Sequence, residues 1–306
     1  MDVTRLLMKM PLRLFYFEMC FHFGKRKYNT RFRRYVYRAK VFFCVRTINT
    51  ALRMTVLNLS FAACGFLGIY HLGAAEAFLC HGRQLMGSLE ACAGASAGAL
   101  VAAVMITAPD KLEQCKEFTY GFAESVRGQR FGAVTPGYNF MLTLREGIEE
   151  ILPNEAHSLA SERLHISLTH SASGKNHIVS RFTSREELIK ALLASSFVPI
   201  YAGLKPVEFR GQKWIDGGLT DALPILPVGR TITVSPFVGL QDVCPRHMGR
   251  FNTRLRLANM NIMFSVENIK RLNQALFPPS TSGMRFLCEQ GFHDAVRFLK
   301  SEALMS

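Results

Sequence analysis

The stretch LEACAGASAGALVAAVMIT, residues 89–107, reads as a strand, a tight turn and a helix in immediate succession. Leu89 to Ala93 is short and apolar, as a strand entering a core is. Gly94, Ala95, Ser96, Ala97 and Gly98 are all small. Ala97 to Thr107 is apolar on nearly every face and stops before Pro109, which predicts a helix enclosed by protein on all sides. In that setting Gly94-x-Ser96-x-Gly98 is the sequence of a nucleophile elbow, a turn sharp enough to hold a serine exposed, with small neighbours that avoid clashes. The N-terminus of the helix behind Ser96 favours developing negative charge. The pentapeptide alone is a weak signal, since roughly one chain of this length in ten would carry it by chance. A plain turn packed by small residues is the alternative.

Outward from the elbow, strands and helices alternate. Toward the N-terminus, Val56 to Phe61 reads as a short strand, followed by a turn that contains Gly65 and Gly68 and by a helix from Leu67 to His81, with Gly82 where it would end. Toward the C-terminus, helices are predicted at Asp110–Arg127, with Asp110 as cap, and at Asn139–Leu152 before Pro153. Strands are predicted at Leu164–His170 and His177–Phe182, then a helix from Ser184 in which Glu187 completes a capping box. Val207–Ile215, with Gly211 in its middle, reads as a hairpin and Thr231–Ser235 as a strand. The chain is expected to be helical from about Asn252 to Leu276 and again beyond Gly283. The pattern predicts an α/β fold of three layers, a central, mostly parallel sheet covered by helices on both faces. No internal repeat is present.

A chain of 306 residues with 49% apolar residues builds one large domain with a buried core and is not a disordered or low-complexity chain. Its net charge of +14 is uneven. Residues 1–53 hold thirteen Lys or Arg against Asp2 and Glu18, whereas the remainder has 24 basic and 21 acidic residues. The body, 54–306, therefore gives no reason to expect nucleic acid. The extension, 1–53, is expected to be disordered or weakly helical. Its basic and aromatic residues between Lys25 and Lys40 suit anionic lipid or RNA, an Arg-rich mitochondrial targeting segment, or an extension without function. The eight cysteines show neither a CxxC pair nor zinc spacing and read as free thiols of a reducing compartment. No secretory signal is evident, and the longest apolar stretch, Phe61–Leu79, is too interrupted to span a bilayer. Cytoplasmic residence with peripheral membrane contact is expected.

An activated serine needs a base, and acyl transfer needs N–H donors for the oxyanion of its tetrahedral intermediate. The loop Ala63-Cys64-Gly65-Phe66-Leu67-Gly68 lies between the first strand and the first helix, where a parallel sheet would bring it to the same edge as the elbow. An ordinary βα turn is the alternative. Asp216-Gly217-Gly218 follows the hairpin strand that carries Trp214, and the two glycines let the backbone bring the carboxylate against another loop. Each motif is commonplace by itself; the three together supply the parts of one acyl-transfer site.

The order of glycine-bearing loop, GxSxG and DGG resembles the patatin-like phospholipase family, and residues 54 to about 300 carry the likeness in LNLSFAACGFLGIYHLGAA, AGASAG, LLASSFVPIYAGL and KWIDGGLTDALPILPVGRT. Because the likeness starts there, Met54 is a candidate initiator. The resemblance implies a dyad in which Ser96 is the nucleophile and Asp216 its base, with Gly65, Phe66 and Gly68 forming the oxyanion loop and no metal or organic cofactor. A conventional triad would draw on His247 or His293, both more simply read as surface residues. The resemblance also implies a lipase acting on acylglycerols, with retinyl esters as a further substrate and transacylation as a further activity, at a membrane or lipid-droplet surface. A catalytically weak scaffold or regulator at that surface is the rival reading. The family's loop usually begins with glycine where this chain has Ala63, and a positive φ there would strain it by roughly 1 kcal/mol or more. A dinucleotide-binding domain is the rival enzyme. It lacks its first glycine, finds Glu90 at the wrong end of the second strand, and leaves GxSxG and DGG unexplained.

Overall fold

The computed structural model describes residues 56–246 and 253–305. The N-terminal extension with the readings placed on it, and His247, lie outside the described residues. The fold begins with β1 (Leu57–Phe61), a single 3-10 turn (Gly65–Leu67), α1 (Gly68–His81), α2 (Arg83–Gly87), β2 (Leu89–Gly94) and α3 (Ala97–Thr107). It continues through α4 (Leu112–Gly128), α5 (Phe140–Ile151), α6 (Ala156–Ala160), β3 (Leu164–His170), β4 (Asn176–Val179) and α7 (Arg185–Ser195). The last elements are β5 (Val207–Phe209), β6 (Gln212–Asp216), β7 (Arg230–Val234), β8 (Arg254–Leu257), β9 (Met260–Met263), α8 (Val266–Leu276) and α9 (Thr281–Ser301).

The α/β layering expected from the alternation is present. β7, β1, β2 and β3 run parallel, and helices flank the sheet. β1 is central and buried along its whole length, which explains its unbroken Leu-Asn-Leu-Ser-Phe run. Its one long polar side chain, Asn58, donates to Val228 O at 2.7 Å. Beyond β3 the sheet turns antiparallel, with β4, β6 and β5. Both β2 and β6 pair with β3, β2 along Leu164–Ile166 and β6 along Leu168–His170. The end of β2 at Gly94 and the end of β6 at Asp216 are thereby brought within two β3 residues of each other.

Several local expectations need correction. Between Thr253 and Ser265 there is no helix: β8 and β9 form a hairpin there, turned by Ala258 and Asn259 at φ 43° and 66°. Two consecutive left-handed residues make the two-residue turn that suits twisted strands, and Leu255 and Leu257 alternate with arginines in the period of a strand. Asp110 does not cap α4; it sits inside a 3-10 turn, Pro109–Lys111, that delays the helix to Leu112. The capping box is half made: Ser184 accepts from the Glu187 amide at 3.1 Å, but the Glu187 carboxylate accepts from Thr183 and Arg210. β4 stops at Val179 rather than reaching Phe182.

Candidate active site

The elbow has the geometry its small residues permit. Ser96 is held at φ 54° and ψ −131°, a region costly for a residue with a side chain, between β2 and the first turn of α3. Gly98 is the reason the turn fits: a Cβ there would lie 2.1 Å from Phe61 O, and one on Gly94 would strike the Gly98 backbone. The Ser96 amide donates to Ser195 Oγ at 2.9 Å, and Ser195 Oγ donates to Ser167 O at 2.8 Å. The turn is thus tied through the end of α7 to the middle of β3.

Asp216 is 4% exposed and faces Ser96 from the end of β6. Its Oδ1 accepts from the Gly218 amide at 2.7 Å, its backbone amide donates to Phe197 O at 2.8 Å, and its carbonyl accepts from Thr169 Oγ1 at 2.8 Å. Burial pushes the carboxyl from 3.8 up to about 6, while the Ser96 hydroxyl and the Gly218 amide pull the other way. A carboxylate that titrates near 6 is a better proton acceptor than an ordinary one and remains ionised at neutral pH. Gly217 passes directly beneath Ser167 O, and Gly218 lies against Ala63.

The 63–68 loop meets the same place. Ala63 is not among the residues with positive φ, so the alanine carries no left-handed strain; Gly65, at φ 53°, takes that conformation instead and lies against Ala275 O of α8. The first amide to bond within the 3-10 turn is that of Leu67, which donates to Cys64 O at 3.1 Å. The amides of Gly65 and Phe66 precede it and so lack a helical acceptor. The Gly68 amide is already given to the Gly65 and Phe66 carbonyls. Gly68 enters the site through its missing side chain, beside Ala97 Cβ.

Ser96, Gly65 and Phe66 open onto a cavity of about 150 Å³, room for on the order of ten waters. α3, α4 and α5 wall it with Leu100, Val104, Phe118, Phe122, Phe140 and Ile148, and no charged side chain lines it. The rings of Phe122 and Phe140 pack at 4.8 Å. Such a space takes an uncharged hydrocarbon chain. Neither Ser195 nor Ser167 had been singled out in the sequence; each stands in an apolar run, and only its burial marks it. His293 is exposed on α9 and His71, though buried, gives Nε2 to Ala62 O, so neither reaches the dyad's place in a triad. Among the described residues all six cysteines are free.

A mostly parallel sheet with a serine elbow at one strand end, a buried carboxylate facing it and amides without a helical acceptor nearby is an α/β arrangement suited to acyl transfer. Comparison with known proteins narrows the class. The patatin-like phospholipase pattern matches residues 59–228, and the chain belongs to that family. It is 61% identical over 249 residues to patatin-like phospholipase domain-containing protein 4 of Homo sapiens, covering 81% of this chain and 98% of that protein. It is 40% identical to patatin-like phospholipase domain-containing protein 2 of Rattus norvegicus, over 83% of this chain and 53% of that one. To 1-acylglycerol-3-phosphate O-acyltransferase Pnpla3 of Mus musculus it is 37% identical, over 81% of this chain and 60% of that one. The chain therefore spans little more than half of these last two relatives. It is an enzyme of a lipid hydrolase and acyltransferase family. Among the described residues no helix is long and apolar enough to cross a membrane.

Proposed function

We propose that the protein hydrolyses acylglycerol esters through an acyl-enzyme on Ser96, with retinyl esters as a second class of substrate that fits the same pocket. The observation that carries this reading is Ser96 on the lining of an apolar cavity that Gly65 and Phe66 also line, with the buried Asp216 facing it. Asp216 accepts the Ser96 proton as Oγ attacks the ester carbonyl. The amides of Gly65 and Phe66 hold the oxyanion of the tetrahedral intermediate. Collapse expels the alcohol, which takes the proton back from Asp216, and the acyl chain remains on Ser96 inside the apolar cavity. Water, activated by the same carboxylate, then releases the fatty acid; an acceptor alcohol in its place gives transacylation, a reading supported by the relative named as an acyltransferase. The substrate is insoluble in water, so the enzyme acts peripherally at a lipid surface, a droplet or a membrane. Residues 1–53 form a separate basic extension to the catalytic domain 54–306.

The test is release of fatty acid from emulsified triacylglycerol by the parent, Ser96→Ala and Asp216→Asn, with fluorophosphonate labelling alongside. Activity and labelling that both vanish with Ser96 support the dyad. A folded parent that is neither labelled nor active on several esters would make the protein a lipid-surface scaffold instead.

A further inference from the structure

Three segments meet where Tyr201 and Leu276 line the cavity. Tyr201, in the loop 198–204, lines the cavity, packs its ring against Phe140 at 5.3 Å, and donates its hydroxyl to Leu276 O at the end of α8 at 2.6 Å. Gly132, in the turn after α4, lies against the Phe277 ring just beyond α8. Each segment turns large apolar side chains to solvent: Ile200 and Leu204 from the loop, 75% and 85% exposed, Phe131 and Val134 from the turn, and Phe277 from the end of α8. Along α8 the exposed Val266, Ile269 and Leu272 fall at three-residue spacing and lead to Leu276, which lines the cavity. Scattered exposed apolar residues are ordinary, but a group of them on segments that pack together beside an apolar cavity marks an interaction site.

Two further observations say what covers it. Ile200 is held at φ 72°, an uncommon conformation for a β-branched residue, by hydrogen bonds inside its own loop, Ile200 amide to Gly203 O and Ala202 amide to Val198 O, both 2.8 Å. A loop made for water would place Gly or Asn there; this one spends strain to aim an isoleucine outward. Basic side chains stand beside the apolar tips: Arg130 over the Phe131 ring at 5.3 Å, Lys205 next to Leu204, and Lys270 next to Ile269. Apolar tips flanked by exposed cations match a layer whose interior is hydrocarbon and whose surface is phosphate.

We propose that this rim is the face by which the protein docks on a phospholipid surface containing anionic headgroups. Ile200 and Leu204 insert among the acyl chains, and Arg130, Lys205 and Lys270 engage phosphates, so that the cavity opens directly into the lipid layer. The proposal rests on the reading of the cavity as the acyl site and specifies how that site is presented to its substrate.

Flotation of the full chain with vesicles of equimolar phosphatidylcholine and phosphatidylserine tests it, comparing the parent, Ser96→Ala and the double variant Ile200→Asn, Leu204→Ser. Asparagine tolerates the left-handed backbone at 200, so the variant keeps its fold. The double variant is expected to float at least about tenfold less, with hydrolysis of a water-soluble short-chain ester unchanged, while Ser96→Ala floats like the parent. Equal flotation of parent and double variant would overturn the proposal, because binding would then come from elsewhere in the chain. So would a parent that is dimeric in solution and becomes monomeric on the double substitution, since the rim would then be covered by a second copy. A parent that floats through the rim but hydrolyses no ester leaves docking standing and removes the catalytic reading.

Discussion

Ser96, on the lining of the cavity and its floor in the proposed reading, sits at φ 54°, and Ile200, on the rim proposed as its mouth, sits at φ 72°. Both are side-chain-bearing residues in backbone conformations that favour glycine, yet they are held in opposite ways. Ser96 is 8% exposed and fixed on every side, by the Phe61 carbonyl behind Gly98, by the Ser195 hydroxyl on its amide and by the helix that starts at Ala97. Ile200 is held by hydrogen bonds within its own seven-residue loop and otherwise meets solvent. Strain at Ser96 is over-determined by packing and strain at Ile200 is local; in the proposed readings the first serves chemistry and the second presentation.

The largest effect belongs to the floor. Replacing Ser96 by Gly or by Ala removes the proposed nucleophile, and ester hydrolysis should fall by at least about 10³-fold in either variant. The two should differ in stability: Gly relieves the positive φ and Ala keeps it, so urea unfolding should find Ser96→Gly more stable than Ser96→Ala by about 1 kcal/mol. Equal stability would mean that the elbow relaxes when its hydroxyl is gone, and the contrast with Ile200 would lose its basis.

Gly98→Ala probes the packing half of that contrast. Its Cβ would fall 2.1 Å from the Phe61 carbonyl, and neither β1 nor α3 has room to move. A loss of about 3 kcal/mol or more is expected in chemical unfolding. At the mouth, Ile200→Gly should leave stability unchanged or raised, because nothing packs on that side chain.

The pH response sharpens the electrostatics of the floor. With Asp216 near 6, kcat/KM should rise with pH up to about 6 and level off above it, because in the proposed dyad only the carboxylate accepts the Ser96 proton. Stability moves the other way. A folded-state pKa raised above the unfolded 3.8 means that the native state binds the proton more tightly, so stability is greatest below about 4 and is lost as pH rises through 4 to 6. Asp216→Asn should therefore be inactive and more stable than the parent at pH 7, by up to about 3 kcal/mol. Thermal melts across that range read the difference directly; an Asn variant that is less stable at every pH would show that the carboxylate contributes to the fold rather than burdening it.

These effects track what was legible in the residues. The elbow, the DGG turn and the 63–68 loop are written as small residues at fixed spacing because backbone sterics admit little else there, so the sequence singles out residues that the fold brings together: Ser96, Asp216, Gly65 and Phe66. The amides are finer than the motif: Gly68 donates elsewhere, and Gly65, not Ala63, carries the positive φ. The β8–β9 hairpin was misread because its turn, Ala258-Asn259, lacks the glycine that usually announces one, and a short alternating run passes for helix beside the helical pattern of α8. The mouth was illegible for a related reason. Exposure of Ile200 or Leu204 is a property of what surrounds them, and an apolar residue in sequence reads as core.

Ser195 lies between these cases, a polar residue hidden in an apolar run, and its expected effect on turnover is far smaller than that of Ser96. Its hydroxyl accepts from the Ser96 amide and donates to Ser167 O, so Ser195→Ala leaves a buried donor and a buried acceptor without partners. A cost of about 1–3 kcal/mol in stability follows. A second consequence separates positioning from mere support: with its amide released, Ser96 is placed less accurately against Asp216, so kcat should drop by about tenfold while KM stays near the parent value. The neighbouring hydroxyl is the control. Ser196 Oγ only bonds back to Leu192 O at 3.0 Å within its own helix, and Ser196→Ala should change kcat little. If both alanines lowered kcat alike, the effect would belong to the end of α7 as a whole. A drop confined to Ser195→Ala would show that the floor's rigidity reaches the nucleophile through this one hydroxyl.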